Sequence, residues 1–300
     1  MSDTKQFNQK LFSDYMNSPK SRNPKIVYEH PVITPEYDYV DVTGYHKKIE
    51  SYICTDMNID WDAIDSTDEA AQKSLNELES KLLDPLHLDH NYLGYLFSFP
   101  LRPLLGNRLP VCVLTVAGFW TPFTAMLNLA SRIWTGNDGL ENEYMYNTKG
   151  FISPLRKHLK ERSVYPSQNV VIHDMKNINP TKTLIDLLAS DKTKTDFLPI
   201  IAVSGHNVEI HDDIRDLVYM CRCVYTEEIT LNSINEIYDN RLLIIQHALT
   251  LIKNWIDRGA PLFDIDTTHE RSMWRQTNKH FSKWITTIMG LASCTEESED

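Results

Sequence analysis

The sequence predicts an α/β layered core, and three observations predict it. Three short apolar runs have the composition of strands buried on both faces: VCVLTVA between Pro110 and Gly118, VVIHD between Asn169 and Met175, and PIIAVS between Leu198 and Gly205. Helix-like stretches alternate with them, over residues 121–134 and from Pro180 through TKTLIDLLAS, where proline takes a favourable first helical position. Strands that alternate with helices require crossover connections, hence a mainly parallel sheet. Helical regions are expected before and after this core in the chain.

Composition narrows the function classes. The chain has 300 residues, 42% apolar and 24% charged, the balance of an ordinary folded chain able to bury a sizeable core. Thirty basic against 41 acidic side chains give a net charge of −11, which disfavours a surface that clamps nucleic acid or an acidic membrane all over and leaves room for a local basic face. The longest apolar stretch, residues 109–117, is about half a bilayer span, so no membrane crossing is expected. Five cysteines without framework spacing, and an N-terminus without the basic-then-apolar layout of a secretory signal, point to a reducing, cytoplasmic setting.

Along the chain, residues 1–25 are polar and read as a flexible arm. Residues 26–85 form an extended and helical N-terminal region. Within it, residues 26–42 are rich in Val, Ile and Tyr but broken by Pro31 and Pro35, the mark of edge strands or an extended docking segment. Residues 45–57 are expected to form a short helix. Ser66 followed by Glu69 has the form of a capping box, opening a helix to about Leu83 with Ala71, Leu75, Leu78 and Leu82 at helical spacing. Residues 86–230 hold the layered core. They begin with the aromatic-rich LHLDHNYLGYLFSFPLRPLL, a buried helix interrupted at Pro100 and Pro103, and close with a short helix over 212–219 and a strand from Cys221. Residues 231–292 read as two helices, 231–258 stopped by Gly259 and about 267–292; residues 293–300 are an acidic tail.

One constellation carries chemistry. A buried strand ends in Gly118 and turns into a helix; a second ends in Asp174; a third ends in Ser204-Gly-His-Asn207. With LFSFPLRPLLGNRLPVCVLTVAG, NVVIHDM, LPIIAVSGHN and DIRDLVYMCRCVYTEEI, residues 86–260 resemble the AAA+-like P-loop ATPases, particularly the helicase-type ATPases of phages and mobile elements. The resemblance implies a P-loop-like core with a helical lid at 231–292. It also implies a phosphate loop after the first strand, a magnesium carboxylate at Asp174, a water-positioning residue at Asn207, and an arginine at Arg215 or Arg222.

The loop itself departs from that pattern. A working loop, G-x-x-x-x-G-K-[ST], wraps phosphates in backbone N–H groups, reaches them with lysine and holds magnesium with a hydroxyl. Here Phe123 stands at the glycine position, Thr124 at the lysine position and Ala125 at the hydroxyl position, and no lysine occurs between Lys81 and Lys149. Pro122 removes a further N–H, and Met175 stands where a second acidic residue often polarises water. Phe119, Trp120 and Phe123 are expected to fill the vacated site. The implied protein is a pseudo-ATPase with no cofactor, a binding or assembly subunit in nucleic-acid processing for a phage or mobile element, with protein partners or self-association.

Plainer readings stand beside these. Gly118 also suits any strand–helix turn, Asp174 a helix cap or ion pair, and His206-Asn207 ordinary turn chemistry. His87, Asp89 and His90, and Cys221 with Cys223, lack the paired knuckles of a metal site, so no metal is expected. Arg271, Arg275, Lys279 and Lys283 line one face of the last helix, beside Trp274, Phe281, Trp284, Ile285 and Ile288. This face suits a nucleic-acid or partner contact, or simply a solvated side. Two other function classes remain: an element-encoded coat or nucleocapsid-like protein, suggested by the proline-broken N-terminal segment, and an enzyme with an unrecognised site.

Overall fold

A computed structural model describes residues 27–105, 111–117, 125–126, 129–136, 143–145, 170–173, 200–202, 218–224, 228–260, 281 and 283–290. The N-terminal arm, the expected helix from Pro180 and the acidic tail lie outside the described residues. The N-terminal region forms two small sheets. Strand β1 (Val27–Tyr28) pairs in parallel with β5 (Ser51–Ile53), which pairs antiparallel with β4 (Gly44–His46); β2 (Val32–Ile33) pairs antiparallel with β3 (Tyr39–Val40). Pro31 and Pro35 fall outside these strands, as the missing N–H of proline requires. The helix expected over 45–57 is replaced by the β4–β5 hairpin. Its cross-strand pair Tyr45–Tyr52 and the buried Ser51–Ile53 backbone find ladder partners on two sides, whereas an isolated short helix would gain too little to repay its nucleation.

Helix α1 (Asp68–Leu78) is capped by Thr67, whose hydroxyl accepts from the Ala70 N–H. The cap is thus one residue later than Ser66, because the Ser66 hydroxyl donates instead to Asp257. Past Leu78 the chain continues as a π-helical turn over Glu79–Leu83 and a 3₁₀ turn over Asp84–Leu86. Ala71, Leu75, Leu78 and Leu82 are all buried, as their spacing requires. The aromatic-rich stretch divides into α2 (Asn91–Ser98) and α3 (Arg102–Leu105), with Pro100 at the break and Pro103 in the first turn of α3, where its missing N–H costs nothing.

The central strands follow. Strand β6 (Val111–Ala117) pairs in parallel over its whole length with β10 (Val218–Val224). Strands β7 (Glu143–Met145), β8 (Val170–His173) and β9 (Ile200–Ala202) pair in parallel in that order. Strands β10 and β6 form one ladder and β7, β8 and β9 another; β9 lies close to β6. Val218 and Tyr219, expected at the end of a helix, belong to β10: opposite Val111 and Cys112 their backbone groups are taken up by the ladder. Helix α4 (Leu129–Thr135) follows β6.

The C-terminal region has two helices where a single one over 231–258 was expected, α5 (Leu231–Asp239) and α6 (Arg241–Asp257). Asn240 causes the break. Its side chain donates to the Glu236 carbonyl while its own carbonyl accepts from Leu243 and Ile244, so one residue ends a helix and starts the next. Thr230 and Ser233 form a reciprocal capping box at the start of α5.

Helix α6 holds the start of α1. The Lys253 ammonium donates to the carbonyls of Trp61 (3.0 Å) and Ile64 (2.9 Å), and the buried Asn254 amide donates to the Ser66 carbonyl (2.8 Å) and the Asp68 carboxylate (2.9 Å). One apolar core runs through α1, α2, α3, α4, α5, α6 and residues 281–289. Gly94 sets its distance from the strands. A Cβ there would stand 2.5 Å from the Tyr219 hydroxyl and 2.8 Å from Ile285 Cγ1, so only glycine lets α2, β10 and the helical segment 283–288 approach this closely.

His30 is fully buried among the rings of Tyr28, Phe99 and Trp134. Its Nδ1–H donates to the Pro31 carbonyl, leaving Nε2 without a hydrogen-bond partner among the described residues. Burial pushes the imidazole down to about 3; the Pro31 bond opposes this, and nearby Arg102 adds to it. The unfolded chain therefore binds a proton that the folded chain refuses. Stability from this group is complete above the ordinary histidine range and is lost as pH falls from about 6.5 toward 3. Half-buried His247 acts in the same direction. In urea titrations between pH 6 and 5, His30→Phe should remove about 1.4 kcal/mol per pH unit from the slope of stability against pH, leaving the His247 share.

Candidate functional site

Parallel pairing puts the carboxyl ends of β8 and β9 at one edge, and the register Ile172–Ala202 leaves those ends side by side. Asp174 is the residue directly after β8, and Gly118 the residue directly after β6. Gly118, Phe123, Thr124, Asp174 and Asn207 lie outside the described residues, as do Phe119, Trp120 and Arg215. Arg222 is on β10 opposite Thr115 of β6.

Ala125, at the hydroxyl position of the sequence pattern, is helical and 5% exposed; Met126 beside it is 1% exposed. Both join the apolar core of the helices. A position held in that core cannot present a ligand to a solvated metal ion, and alanine has none to present. The Tyr92 hydroxyl of α2 reaches this point: it donates to the Met126 carbonyl and accepts from the Ala130 N–H, each at 3.2 Å.

The far end of α4 is secured differently. The Trp134 indole N–H donates to the Leu96 carbonyl at 2.9 Å, and the Arg241 guanidinium donates to the Ile133 carbonyl. Gly136 takes the left-handed conformation, φ 68°, with its own carbonyl accepting from the Tyr238 hydroxyl. Arg132, 8% exposed, stacks its guanidinium over the Tyr238 ring at 4.5 Å. These cations complement the negative end of the helix dipole, and their partners occupy them.

Lys283 is exposed, while Phe281, Trp284, Ile285 and Ile288 are each 3% exposed or less. Arg271, Arg275, Lys279 and Trp274 lie outside the described residues. Phe281 packs edge-on against Tyr219 with ring centroids 4.9 Å apart. The aromatics flanking the basic positions are therefore core: Phe281 and Trp284 have no face left on which a base could stack.

The histidines of 87–90 separate onto different carboxylates. His90 Nε2 pairs with Glu79 at 2.7 Å, and His87 Nε2 lies 3.9 Å from Glu228. Among the described residues no three His, Cys, Asp or Glu side chains gather as a metal site would need, and no described helix is long and apolar enough to cross a membrane. Cys54 and Cys221 are buried. Burial, aided by Glu29 and Asp56, raises the Cys54 thiol to about 11, which leaves it a poor nucleophile.

Sequence reasoning passed over Tyr92, Asn91 and His30. Tyr92 and Asn91 sit in the aromatic-rich stretch whose burial was legible, and His30 carried only its place beside Pro31 as a signal.

No family model and no curated protein matches the sequence. Among solved structures, the chain is similar to the SCCmec type IV helicase Cch, with a TM-score of 0.38 and 15% identity, over 89% of this chain and 56% of that one. The chain thus spans little more than half the length of that helicase.

The burial of Ala125 is directly checkable. Ala125→Lys should lower the unfolding free energy by about 3 kcal/mol or more, since it forces an unpaired charge into an apolar core. Lys283→Ala, on the exposed face, should stay within about 0.5 kcal/mol of the parent in the same urea denaturation.

Proposed function

We propose that the chain is a non-hydrolysing, AAA+-like module with a degenerate nucleotide site, acting as a binding or assembly subunit in nucleic-acid processing for a mobile element or phage. The observation that carries the reading is Ala125. The residue standing where a phosphate loop keeps its magnesium hydroxyl is a buried methyl group in the helical core. Around it the sequence replaces the loop glycine by Phe123 and the lysine by Thr124. Phosphoryl transfer depends on charge stabilisation and positioning. A loop without lysine or hydroxyl, with Pro122 lacking an N–H, supplies little of either.

The placement of the strands supports the rest of the reading. With β6 beside β9 and β9 paired to β8, the strands that lead to Gly118, Asn207 and Asp174 are immediate neighbours. A crevice outside adjacent strand ends is where layered α/β folds take ligands. A module that keeps those layers without the phosphate chemistry offers surfaces, not turnover. The sequence suggests one such surface, the basic row Arg271, Arg275, Lys279 and Lys283, of which Lys283 is described and exposed. Its aromatic neighbours Phe281 and Trp284 are buried, so contact there is with the phosphate backbone, through charge alone.

Isothermal titration of the protein with ATP and magnesium should give no binding heat; micromolar affinity would overturn the pseudo-ATPase reading. Binding to a DNA oligonucleotide should weaken steeply with salt, and replacing the four basic residues by Gln should reduce that slope by up to about 3.5. An unchanged slope removes the nucleic-acid face and leaves the inactive nucleotide site untouched.

A further inference from the structure

We infer that the turn at residues 61–64 is a receptor for a primary ammonium group, filled in cis by Lys253 of α6, and that it takes a free alkylammonium ion when that side chain is removed. Residues 54–67 hold no helix or strand, so the carbonyls of this stretch have no ladder to enter and need partners from elsewhere. Three of them converge on one nitrogen. Lys253 Nζ donates to the carbonyls of Ile64 at 2.9 Å, Trp61 at 3.0 Å and, more loosely, Asp62 at 3.5 Å. A lysine ammonium has three N–H donors and no acceptor, so donors and acceptors match in number.

The Trp61 ring is a wall of the same cradle. Its centroid lies 5.7 Å from Lys253 Nζ, within the range at which an aromatic face attracts a cation. Tyr39 stacks on that ring with centroids 4.8 Å apart and planes 7° from parallel, which holds its orientation. The Asp65 carboxyl adds negative charge nearby: the Thr67 N–H and hydroxyl hold it below the ordinary carboxylate range, and the Lys253 charge lowers it further. Hydrogen-bond direction, and not charge alone, sets the selectivity of such a cradle. A quaternary ammonium ion carries the same charge but has no N–H to offer the carbonyls.

Bonds other than those of Lys253 hold the cradle in shape. Asn254, the next residue of α6, donates to the Ser66 carbonyl at 2.8 Å and to the Asp68 carboxylate at 2.9 Å, and the Ser66 hydroxyl donates to Asp257. The Ile64 N–H closes the turn on the Trp61 carbonyl at 3.3 Å, and the Ile64 side chain is buried in the main core. Removing the lysine stem therefore leaves a preformed site, and an ion entering a preformed site has less ordering to offset. The inference is independent of the nucleotide reading, since it uses none of the residues at the strand ends.

Urea denaturation of the full chain carrying Lys253→Ala, in three salts, tests this. The substitution should lower the folding equilibrium constant by about tenfold or more, since it leaves the carbonyls without their charged donor. Propylammonium chloride, whose cation replaces the atoms removed beyond Cβ, should restore part of that loss and should saturate as its concentration rises. Sodium chloride and tetramethylammonium chloride at equal concentration should restore none of it, and propylammonium should not stabilise the parent protein. Equal effects of the three salts, or equal effects of propylammonium on parent and variant, overturn the receptor. Should the variant fail to fold, the parent protein decides by nitrogen-15 NMR: the Nζ protons of Lys253 should exchange with water more slowly than those of exposed Lys73, and equal rates overturn the receptor.

Discussion

The close approach of α2 to β10 governs how the helices meet the strands. Gly94 has no side chain, so the Tyr219 hydroxyl and the Ile285 side chain come within the distance a methyl group would fill. From that contact the other attachments follow. Asn91 accepts from Tyr219, Phe281 packs edge-on against the same ring, and Leu96 presents its carbonyl to Trp134. Helix α2 thereby touches β10, α4 and the 283–288 segment at once, and it is apolar around most of its circumference because every side has a neighbour. A larger residue at position 94 would push three elements apart together.

This packing also bears on the degenerate site proposed for the strand ends. A cradle for phosphates needs backbone N–H groups free to turn outward, a cation and a metal-binding hydroxyl. Here the chain returns to the core by Ala125, inside the apolar layer. The buried guanidinium groups of Arg132 and Arg102 belong to the helical body, and Arg132 is spent on an aromatic face. Positive charge is thus used to bind the protein to itself near α4, and the exposed cation described near the C-terminus, Lys283, lies on another element.

The sequence made some of this legible because some of it is local. Ala71, Leu75, Leu78 and Leu82 announce their helix by spacing, and the continuous apolar run 111–117 announces a strand, which pairs along its length with β10. The β4–β5 hairpin was not legible, because what makes Ser51–Ile53 a strand is β1, more than twenty residues earlier. Strand β7 was missed for a related reason: Glu143–Met145 has three residues and no pattern, and exists by pairing with β8. Of the site, the apolar runs that become β6, β8 and β9 could be read from their residues. The bonding of Tyr92 could not, since a tyrosine inside an apolar stretch looks the same whether its hydroxyl is idle or bonded to another segment. Nor could the inward turn of Phe281 and Trp284, which beside Lys283 suit a binding face equally well.

The grip of α6 on the start of α1 has a consequence during synthesis. Asn254 and Asp68 are 186 residues apart in sequence. At ordinary elongation speeds of about 5–20 residues per second, α1 waits roughly 10–40 s after emerging before its partner helix is made. Through that interval Leu75, Leu78 and Leu82, each at most 1% exposed in the finished protein, have no α6 to cover them. A nascent chain of this design depends on whatever shields a greasy helix until the ribosome delivers its other half.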